Sequence, residues 1–508
     1  MKKIISLDIG TSSMLAALYD EKGNLVHKTA KEYHSDYFSG SIVEQDTATW
    51  LESSVDVLSR MNEYLVEQKI TVAGIAVTSQ RSSLIPVDQN GSALRTAIMW
   101  QDKRTIPQCD FLEAEYGLDY LYKKTGLRIN PYFVLPKILW LREHQPELYR
   151  DAYKFIGVQD LVVHQLTGEF KTEATQGCRT MLMNIRKFEW DQELLEIAGI
   201  EPERLPELHA PGTIAGKLTA EFAKQTGLPP ETLVIMSGGD QQNAALALGV
   251  IKKGRAEANT GTGSFVISAV DEPAFEADAR ILCQAAAIPG KWIMEAGIFN
   301  TGATYRWFAE QFYQDVGAAE NIYEKMNEEA RNAPAGSNGL VMIPHFQGSA
   351  APFWNPRANG LFFNLSLDKT RGDFTRAIME GVAIEIGHNL RLIQKLTGEI
   401  SKISVAGGMT RADLFCEIQA NTYNRQVYKY QNSEASSLGA AMLALVTLGV
   451  YGSIEEAYSQ MVEANIQEFS PQEDLVKVYD KINEQKLVLY DAINIGGVYR
   501  SFMEDSVD

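Results

Sequence analysis

The chain contains 508 residues, of which 45% are hydrophobic and 22% are charged. At roughly 150 residues per domain, this length predicts about two to four domains with cores of their own. The formal net charge of −18 argues against nucleic acids or anionic membranes as partners, because those surfaces are themselves negatively charged.

The cysteines and the apolar segments indicate the cellular compartment of the protein. The cysteines form no CxxC pair, which is typical of a reducing cytoplasm and provides no metal-binding framework. The N-terminal apolar run is interrupted by Asp8 and is not typical of a signal peptide. Residues 438–451, the most apolar later stretch, are fewer than the roughly 20 that span a bilayer, and they predict a buried helix. We therefore expect a cytoplasmic protein. The cysteines are Cys109, Cys178, Cys283 and Cys416.

The first half of the chain predicts strands and helices in alternation. Residues 3–7 and 14–19 are short β-rich runs on either side of a glycine turn, and a third run begins at residue 25. Asp46 is a candidate N-cap for a helix with an apolar face between residues 51 and 65. Later strands at 72–77 and 233–236 each end in a polar segment. This alternation predicts an α/β fold with mixed sheets.

The second half begins again in the same way. Strands are predicted at 255–259 and 265–270, around the turn Thr260-Gly261-Thr262-Gly263-Ser264. This turn resembles Asp8-Ile9-Gly10-Thr11-Ser12 and suggests two similarly built halves. Helices are predicted at 375–396, 412–421 and 436–448 and after residue 472, with a strand at 403–406. We place the domain boundary near residue 250, which gives domains of residues 1–250 and 251–508.

The two glycine turns are candidate phosphate-binding segments. A tight turn rich in Gly, Ser and Thr directs successive backbone N–H groups into one concavity that suits an anion. Asp8 beside the first turn is a candidate Mg²⁺ ligand, because Mg²⁺ keeps several waters and needs few carboxylates. An ordinary hairpin turn is the alternative for either segment alone. Two such turns, one at the start of each half, favour a bipartite nucleotide site.

Asp240 is a candidate general base. A carboxylate that accepts a proton from a substrate hydroxyl must lie at the mouth of the phosphate site and stay ionised. The alternative is a helix N-cap, since an aspartate there satisfies the first amides of the following helix. Both roles are compatible, because a helix N-terminus also favours the charged carboxylate.

A family resemblance follows from a set of motifs in order along the chain. The sequence resembles the FGGY carbohydrate kinases over nearly its whole length, and its motifs are most similar to those of the glycerol kinase branch. No single motif is specific, but the ordered set is. The motifs lie at residues 7–13, 79–81, 97–105, 130–133, 178–182, 239–242, 259–263, 351–356 and 405–409.

The resemblance implies a fold, an activity and a set of site residues. It implies two ribonuclease-H-like (actin-like ATPase) domains that close around ATP–Mg²⁺ and a polyhydroxylated small molecule, with Asp240 as the base. We expect a cytoplasmic ATP-dependent kinase with a polyol or sugar substrate and no nucleic-acid or membrane partner. Homodimers are common in the family, so a homodimer is expected as one possibility. The predicted ATP-binding residues are Gly10, Thr11, Ser12, Gly261, Thr262, Gly302, Gly407 and Gly408.

A substrate pocket is predicted on the first domain. Polyol recognition needs a few fixed polar groups and an apolar wall for the carbon skeleton. Arg81 and Gln241 are expected donors, Tyr132 offers a hydroxyl, and Trp100 and Phe265 suit the wall. The alternatives are a surface ion pair for Arg81 and plain core for Trp100. The full predicted set is Gln80, Arg81, Ser82, Trp100, Tyr132, Asp240, Gln241 and Phe265.

Two departures from the resembling family affect the predicted substrate and rate. Glycerol kinases usually have Glu where this chain has Ser82. That glutamate accepts hydrogen bonds from glycerol hydroxyls, and the loss of such an acceptor changes which substrate is preferred. We therefore expect a longer polyol, a sugar or a sugar derivative rather than glycerol, with a ketose or a sugar acid as alternatives. Pentulose kinases typically carry Met-His in place of Gln80-Arg81, which argues against xylulose. An arginine can also bind a carboxylate bidentately, so sugar acids stay open.

The second departure is Leu15, where family members usually have Arg or Lys near the transferred phosphate. A cation there stabilises charge in the transition state. Either another cation replaces it, with Lys103 and Arg306 as candidates, or turnover is slow. A degenerate kinase acting as a sugar-responsive regulator or scaffold is therefore an alternative. An actin-like ATPase acting on protein clients is a third, but such a protein has no reason to keep the predicted pocket.

Overall fold

The computed structural model describes residues 2–39, 42–317, 321–430, 434–462 and 466–504. Its first half contains fifteen described strands and ten described α-helices. The strands are β1 (Lys3–Ile9), β2 (Ser13–Asp20), β3 (Leu25–Glu32), β4 (Asp36–Phe38), β5 (Ile42–Gln45), β6 (Val72–Ser79), β7 (Ile85–Val87), β8 (Ala97–Ile98), β9 (Lys154–Ile156), β10 (Lys171–Glu173), β11 (Met183–Asn184), β12 (Glu189–Trp190), β13 (Glu207–His209), β14 (Ile214–Lys217) and β15 (Leu233–Gly239). The helices are α1 (Ala48–Glu67), α2 (Ile106–Tyr116), α3 (Leu118–Thr125), α4 (Val134–His144), α5 (Pro146–Asp151), α6 (Val158–Thr167), α7 (Ala174–Gly177), α8 (Gln192–Ala198), α9 (Ala220–Thr226) and α10 (Asp240–Ala247).

The second half adds nine strands and eight α-helices within the described ranges. The strands are β16 (Arg255–Thr260), β17 (Ser264–Val270), β18 (Leu282–Ala285), β19 (Trp292–Ile298), β20 (Val341–Ile343), β21 (Leu361–Phe363), β22 (Lys402–Ala406), β23 (Val427–Tyr430) and β24 (Ile466–Phe469). The helices are α11 (Gly302–Phe312), α12 (Ile322–Asn332), α13 (Arg371–Thr397), α14 (Asp413–Tyr423), α15 (Ala435–Thr447), α16 (Ile454–Met461), α17 (Glu473–Ile495) and α18 (Val498–Glu504).

Each half is built on a mixed sheet, and the two sheets share one connectivity apart from an additional edge strand, β18, in the second. The first has the order β3-β2-β1-β6-β15-β14, and the second has the order β18-β19-β17-β16-β22-β23-β24. In both, three antiparallel strands precede two parallel ones: β1 pairs parallel with β6, and β16 pairs parallel with β22. The predicted duplication and the predicted two-domain α/β fold are confirmed. The boundary near residue 250 stays a prediction.

Several element boundaries follow from the apolar pattern, and one predicted cap is wrong by a residue. The long helix predicted at 375–396 is α13, and the helix predicted at 436–448 is α15. The residue that precedes α1 is Thr47, not Asp46. The Asp46 carboxylate still accepts the backbone N–H of Ala48 at 3.0 Å. The aspartate therefore satisfies an amide of the first turn from one position further out.

Parallel strands bring distant segments to one edge of each sheet. In the first half the ends of β1, β6 and β15 lie side by side and are followed by Gly10, Gln80 and Asp240. In the second half β16 and β22 end beside each other and lead to Gly261 and Gly407. Carboxyl ends of parallel strands are where α/β proteins place ligand-binding residues. The fold thus collects most of the predicted site.

The two halves are joined by a pair of helices, α10 and α15. Helix α15 belongs to the second half but packs against α10 and against β1, β6 and β15 of the first sheet. Gly439 in α15 lies so close to α10 that a Cβ there would collide with the carbonyl oxygen of Asn243. The absence of a side chain at this position therefore allows the close approach of the two helices.

We expect Gly439→Ala to destabilise the protein by about 1–3 kcal/mol, because the added methyl forces the helices apart. Helix propensity alone predicts the opposite sign, since Ala is favoured over Gly by about 1 kcal/mol in a helix interior. Urea unfolding measures the change. Gly317→Ala is the control, because a Cβ at residue 317 would meet no atom within 4 Å. A stabilised Gly439→Ala protein would contradict the tight helix contact.

A second junction lies where β18 and β19 meet the segment between β6 and β14. The backbone N–H of Cys283 in β18 donates to the carbonyl of Gly126 at 2.9 Å, and Trp292 Nε1 donates to the carbonyl of Ile185 at 2.6 Å. All four cysteines are buried and unpaired. No helix within the described ranges is both long and apolar enough to cross a bilayer.

Candidate active site

The first glycine turn is held by backbone and tyrosine contacts. The N–H of Gly10 donates to the carbonyl of Ser13 at 2.9 Å, and the Tyr33 hydroxyl donates to the carbonyl of Gly10 at 2.8 Å. Ser12 is exposed, while Gly10 and Thr11 are half-buried. The turn therefore has a defined shape at the end of β1 and an open side towards solvent.

The second glycine turn lies beside the start of α11. Gly302 donates its N–H to the carbonyl of Gly261 at 3.0 Å, and a Cβ on Gly302 would collide with that same oxygen. A Cβ on Gly407 would likewise collide with the backbone of Thr260. Gly408 is exposed, and no atom would lie within 4 Å of a Cβ there. The predicted nucleotide residues of the second half, including the exposed Thr262, are thus brought together around an open space.

Thr11 lies between the first turn and the predicted substrate pocket. Its hydroxyl donates to Gln80 Oε1 at 3.0 Å and accepts from Trp100 Nε1 at 3.1 Å. The sequence assigned Thr11 to the nucleotide and the other two residues to the substrate. The structure connects these groups, so the position of the turn and the position of the Trp100 ring depend on each other.

Arg81 is buried and holds Asp240. Its side chain is 1% exposed, and Nε lies 3.3 Å from Asp240 Oδ1. Nη1 donates to Glu295 Oε2 at 2.9 Å and to the side-chain oxygens of Gln242 and Gln284 at 3.1 and 3.2 Å. The alternative of a surface ion pair is wrong. The guanidinium is a buried support for the carboxylate rather than an open donor.

Glu295, which the sequence did not single out, joins two arginines. Its second oxygen accepts from Arg179 Nη1 at 3.1 Å, and the side chain is 2% exposed. Although burial alone would raise the pKa of Glu295, Arg81 and Arg179 hold it below its ordinary value. Because β19 carries Glu295 and the first half carries both arginines, this ion network crosses between the halves.

Ser82 occupies an unusual backbone position and has a partner. Its φ is 71°, and its hydroxyl accepts from Arg179 Nε at 3.2 Å. The backbone carbonyls of Ser82 and Tyr132 both accept from Lys137 Nζ, at 2.7 and 2.8 Å. Lys137 is fully buried, and burial lowers its pKa to about 7. Arg179 and Lys137 therefore support the pocket from behind; Arg179 was visible only as part of the motif at 178–182.

Aromatic rings form one side of the pocket. The Trp100 and Tyr132 rings lie 5.2 Å apart, and the Arg179 guanidinium lies 4.8 Å from the Tyr132 ring. The Phe265 ring, from the second half, is 5.6 Å from the Arg81 guanidinium. Every predicted substrate residue is thus linked by contacts to this cluster. Trp100 is half-buried at the pocket rather than in the core.

Asp240 is the first residue of α10 and is not its N-cap, which is Gly239. Its Oδ1 accepts the N–H of Gln241 at 2.7 Å, and its Oδ2 accepts from Gln241 Nε2 at 3.3 Å. Burial raises the pKa of Asp240, while Arg81 and Gln241 oppose the rise. A raised pKa makes the carboxylate a stronger base, and the arginine favours its ionised form.

Asp8 lies in a carboxylate-rich environment. Burial, Asp240 and Glu434 raise its pKa to about 8. Like charges close together are relieved by a cation, so the arrangement fits a divalent ion near Asp8. Within the described residues no three His, Cys, Asp or Glu side chains form a metal-chelating group. An ion here would depend on water and phosphate oxygens, which is the preference of Mg²⁺.

Leu15 lies directly opposite Asp8 in the ladder between β1 and β2. It therefore places an apolar side chain where the resembling family has a cation. Lys103 and Arg306 are exposed, and their role as replacements stays a prediction.

Comparison with known proteins agrees with the fold. The duplicated α/β fold, with a glycine turn at the start of each half, is that of the two-domain actin-like ATPase architecture. Models of the FGGY family of carbohydrate kinases match residues 3–247 with the N-terminal domain and residues 256–448 with the C-terminal domain. The chain belongs to this family and is a carbohydrate kinase.

Relatives with different substrates match the chain at similar identity. Gluconokinase of Bacillus subtilis (strain 168) is 29% identical, covering 94% of this chain and 93% of the relative. Glycerol kinase of Thermococcus gammatolerans is 31% identical, covering 90% and 91%. The structure of ligand-bound xylulose kinase from Lactobacillus acidophilus superposes with a TM-score of 0.91 at 26% identity, covering 99% and 100%. The predicted preference for the glycerol kinase branch stays a prediction.

Proposed function

We propose that the protein transfers the γ-phosphoryl group of ATP to a hydroxyl of a polyol, sugar or sugar derivative longer than glycerol. The observation that carries this proposal is the position of Asp240, which Arg81 and Gln241 hold at the start of α10, at the sheet edge where the first glycine turn follows β1. In that position the carboxylate accepts the hydroxyl proton as the oxygen attacks phosphorus.

Residues of the two halves bind different parts of the reactants. Gly10, Thr11 and Ser12 receive the phosphates of ATP, and Asp8 would hold Mg²⁺. The nucleotide lies against the second half, at Gly261, Thr262, Gly302, Gly407 and Gly408. Bound Mg²⁺ supplies charge neutralisation at the phosphates. The protein supplies orientation through Gln80, Trp100 and Tyr132, and proton transfer through Asp240.

Ser82 and the supporting arginines favour a substrate other than glycerol. Ser82 is smaller than the glutamate of glycerol kinases, and Arg179 already uses its hydroxyl as an acceptor. A sugar acid is a second candidate, although it would need another cation than Arg81 and Arg179, which are buried and share Glu295 as their partner. The gluconokinase relative supports that candidate.

A coupled ADP-release assay tests the proposal against glycerol, tetritols, pentitols, ketoses and aldonic acids. We expect turnover with a substrate of four or more carbons and weaker turnover with glycerol. If no substrate of the panel gave ADP release while calorimetry still showed ATP binding, the proposal would be overturned in favour of a degenerate kinase that acts as a regulator or scaffold.

Ser82→Glu tests the selectivity argument separately. The larger, charged side chain fills space beside Arg179, so kcat/KM for the best longer substrate should fall about tenfold or more. The ratio of glycerol turnover to longer-substrate turnover should rise. Ser459→Glu, on the exposed face of α16, adds the same charge away from the pocket and should leave both values unchanged. An unaltered ratio in Ser82→Glu would remove Ser82 as a selectivity position.

A further inference from the structure

Lys28 lies on the same face of the first sheet as Asp8 and Leu15. In the strand ladders Asp8 pairs with Leu15, Leu15 pairs with Ala30, and Lys28 is two residues before Ala30 on β3. Since alternate residues of a strand share a face, Lys28 and Ala30 point to the same side as Asp8. The lysine is one row further from the glycine turn, a distance of about 7 Å along the strand.

The opposite face of β3 is covered, whereas the face of Lys28 is open. On the covered side the His27 ring stacks on Tyr64 of α1 at 3.9 Å, and Thr29 Oγ1 donates to the carbonyl of Val57 at 2.8 Å. On the other side Lys28 and Ala30 are exposed. No part of α1 therefore separates the lysine from the side of the sheet on which Asp8 and Leu15 lie.

The ammonium of Lys28 is held by a carboxylate at the start of α15. Lys28 Nζ lies 3.1 Å from Glu434 Oε1, and the two side chains are 52% and 26% exposed. Glu434 immediately precedes α15, which packs on β1 and β2. A partly exposed ion pair of this kind contributes little stability. The ammonium can therefore exchange Glu434 for another anion at small cost.

We infer that Lys28 supplies the phosphate-directed cation that Leu15 does not, moving from Glu434 to the terminal phosphate of the bound nucleotide. This inference rests on the proposed function. Relative to Leu15, Lys28 lies one strand further from Asp8 and one row further from the turn, roughly 5 Å across the sheet and about 7 Å along it. The flexible four-carbon stem of lysine extends the ammonium back over most of that distance. A cation at the transferred phosphate stabilises the charge that develops there. In this chain a residue of β3, rather than one of β2, therefore supplies the cation at the transferred phosphate.

Nucleotide binding tests the inference without relying on turnover. Calorimetry with Mg²⁺ compares the affinity for a non-hydrolysable ATP analogue with the affinity for ADP, which lacks the terminal phosphate. Lys28→Met should weaken analogue binding about tenfold and leave ADP binding within about twofold, because one charge-assisted contact is lost. Lys31→Met is the matched control, since Lys31 lies on the same strand but on the covered face.

A compensating variant makes the test specific. Adding Leu15→Lys to Lys28→Met places a cation directly opposite Asp8 and should restore the analogue-to-ADP ratio. In active enzyme Lys28→Met should lower kcat about a hundredfold, and the double variant should recover it. An unchanged ratio in Lys28→Met, an equal loss for both nucleotides, or no recovery in the double variant would each overturn the inference. An inert wild type that still shows the ratio would instead overturn the proposed function.

Discussion

Asp240→Asn should lower kcat by about 10²–10⁴-fold, the usual contribution of a general base. The amide keeps the shape of the side chain but cannot accept the hydroxyl proton at neutral pH. Arg81 keeps its contact with Glu295, so the pocket should stay folded. Binding of an ATP analogue, measured by calorimetry, should change by less than about twofold, because the nucleotide residues are elsewhere.

Asp271→Asn is the control for this substitution. Asp271 is an exposed aspartate paired with Lys291, and its substitution should leave kcat unchanged. If Asp240→Asn retained a rate near that of the wild type, Asp240 would not be the base. The carboxylate would then be a support for Arg81 only.

Glu295→Gln should destabilise the protein by about 3–5 kcal/mol, because it leaves two buried arginines without their shared counter-ion. The substituted amide also directs a donor towards one of the guanidinium groups, which are donors themselves. The free energy of unfolding in urea measures the loss. Since Arg81 positions Asp240, KM for the substrate should rise as well.

Glu417→Gln provides the comparison for Glu295→Gln. Glu417 pairs with Arg331 on the surface, where both side chains are well exposed. Removing that charge should change the unfolding free energy by about 1 kcal/mol or less. Similar losses for the two variants would show that the buried network contributes no more than a surface pair.

Local pattern was sufficient to predict much of the site. Asp8, Gln80 and Asp240 each follow or end a short apolar strand, and the structure places those strand ends side by side. The glycine turns were predicted for the same reason, since turn composition is a local property. The sheets and the long helices likewise follow from hydrophobic periodicity.

The contacts of the candidate site that the sequence did not predict are made between segments that lie far apart in the chain. Glu295 meets Arg81 across 214 positions of the chain, and nothing in the residues near Glu295 predicts that pairing. Lys137 supports two backbone carbonyls that become neighbours only when the segment after β6 folds back. Arg81 was therefore expected at the substrate, whereas its four side-chain partners all belong to the protein. Burial of this kind is set by tertiary packing rather than by local spacing.

The four buried thiols have a practical consequence. Burial raises the pKa of each of Cys109, Cys178, Cys283 and Cys416 to about 12, so almost none is present as the reactive thiolate at neutral pH. The folded enzyme should resist alkylating reagents and should need no reductant during storage. Any labelling of Cys178 or Cys283 would report transient opening of the core beside the junction between β18 and the first half. Mass spectrometry after timed exposure to iodoacetamide would give the rate of that opening without an added probe.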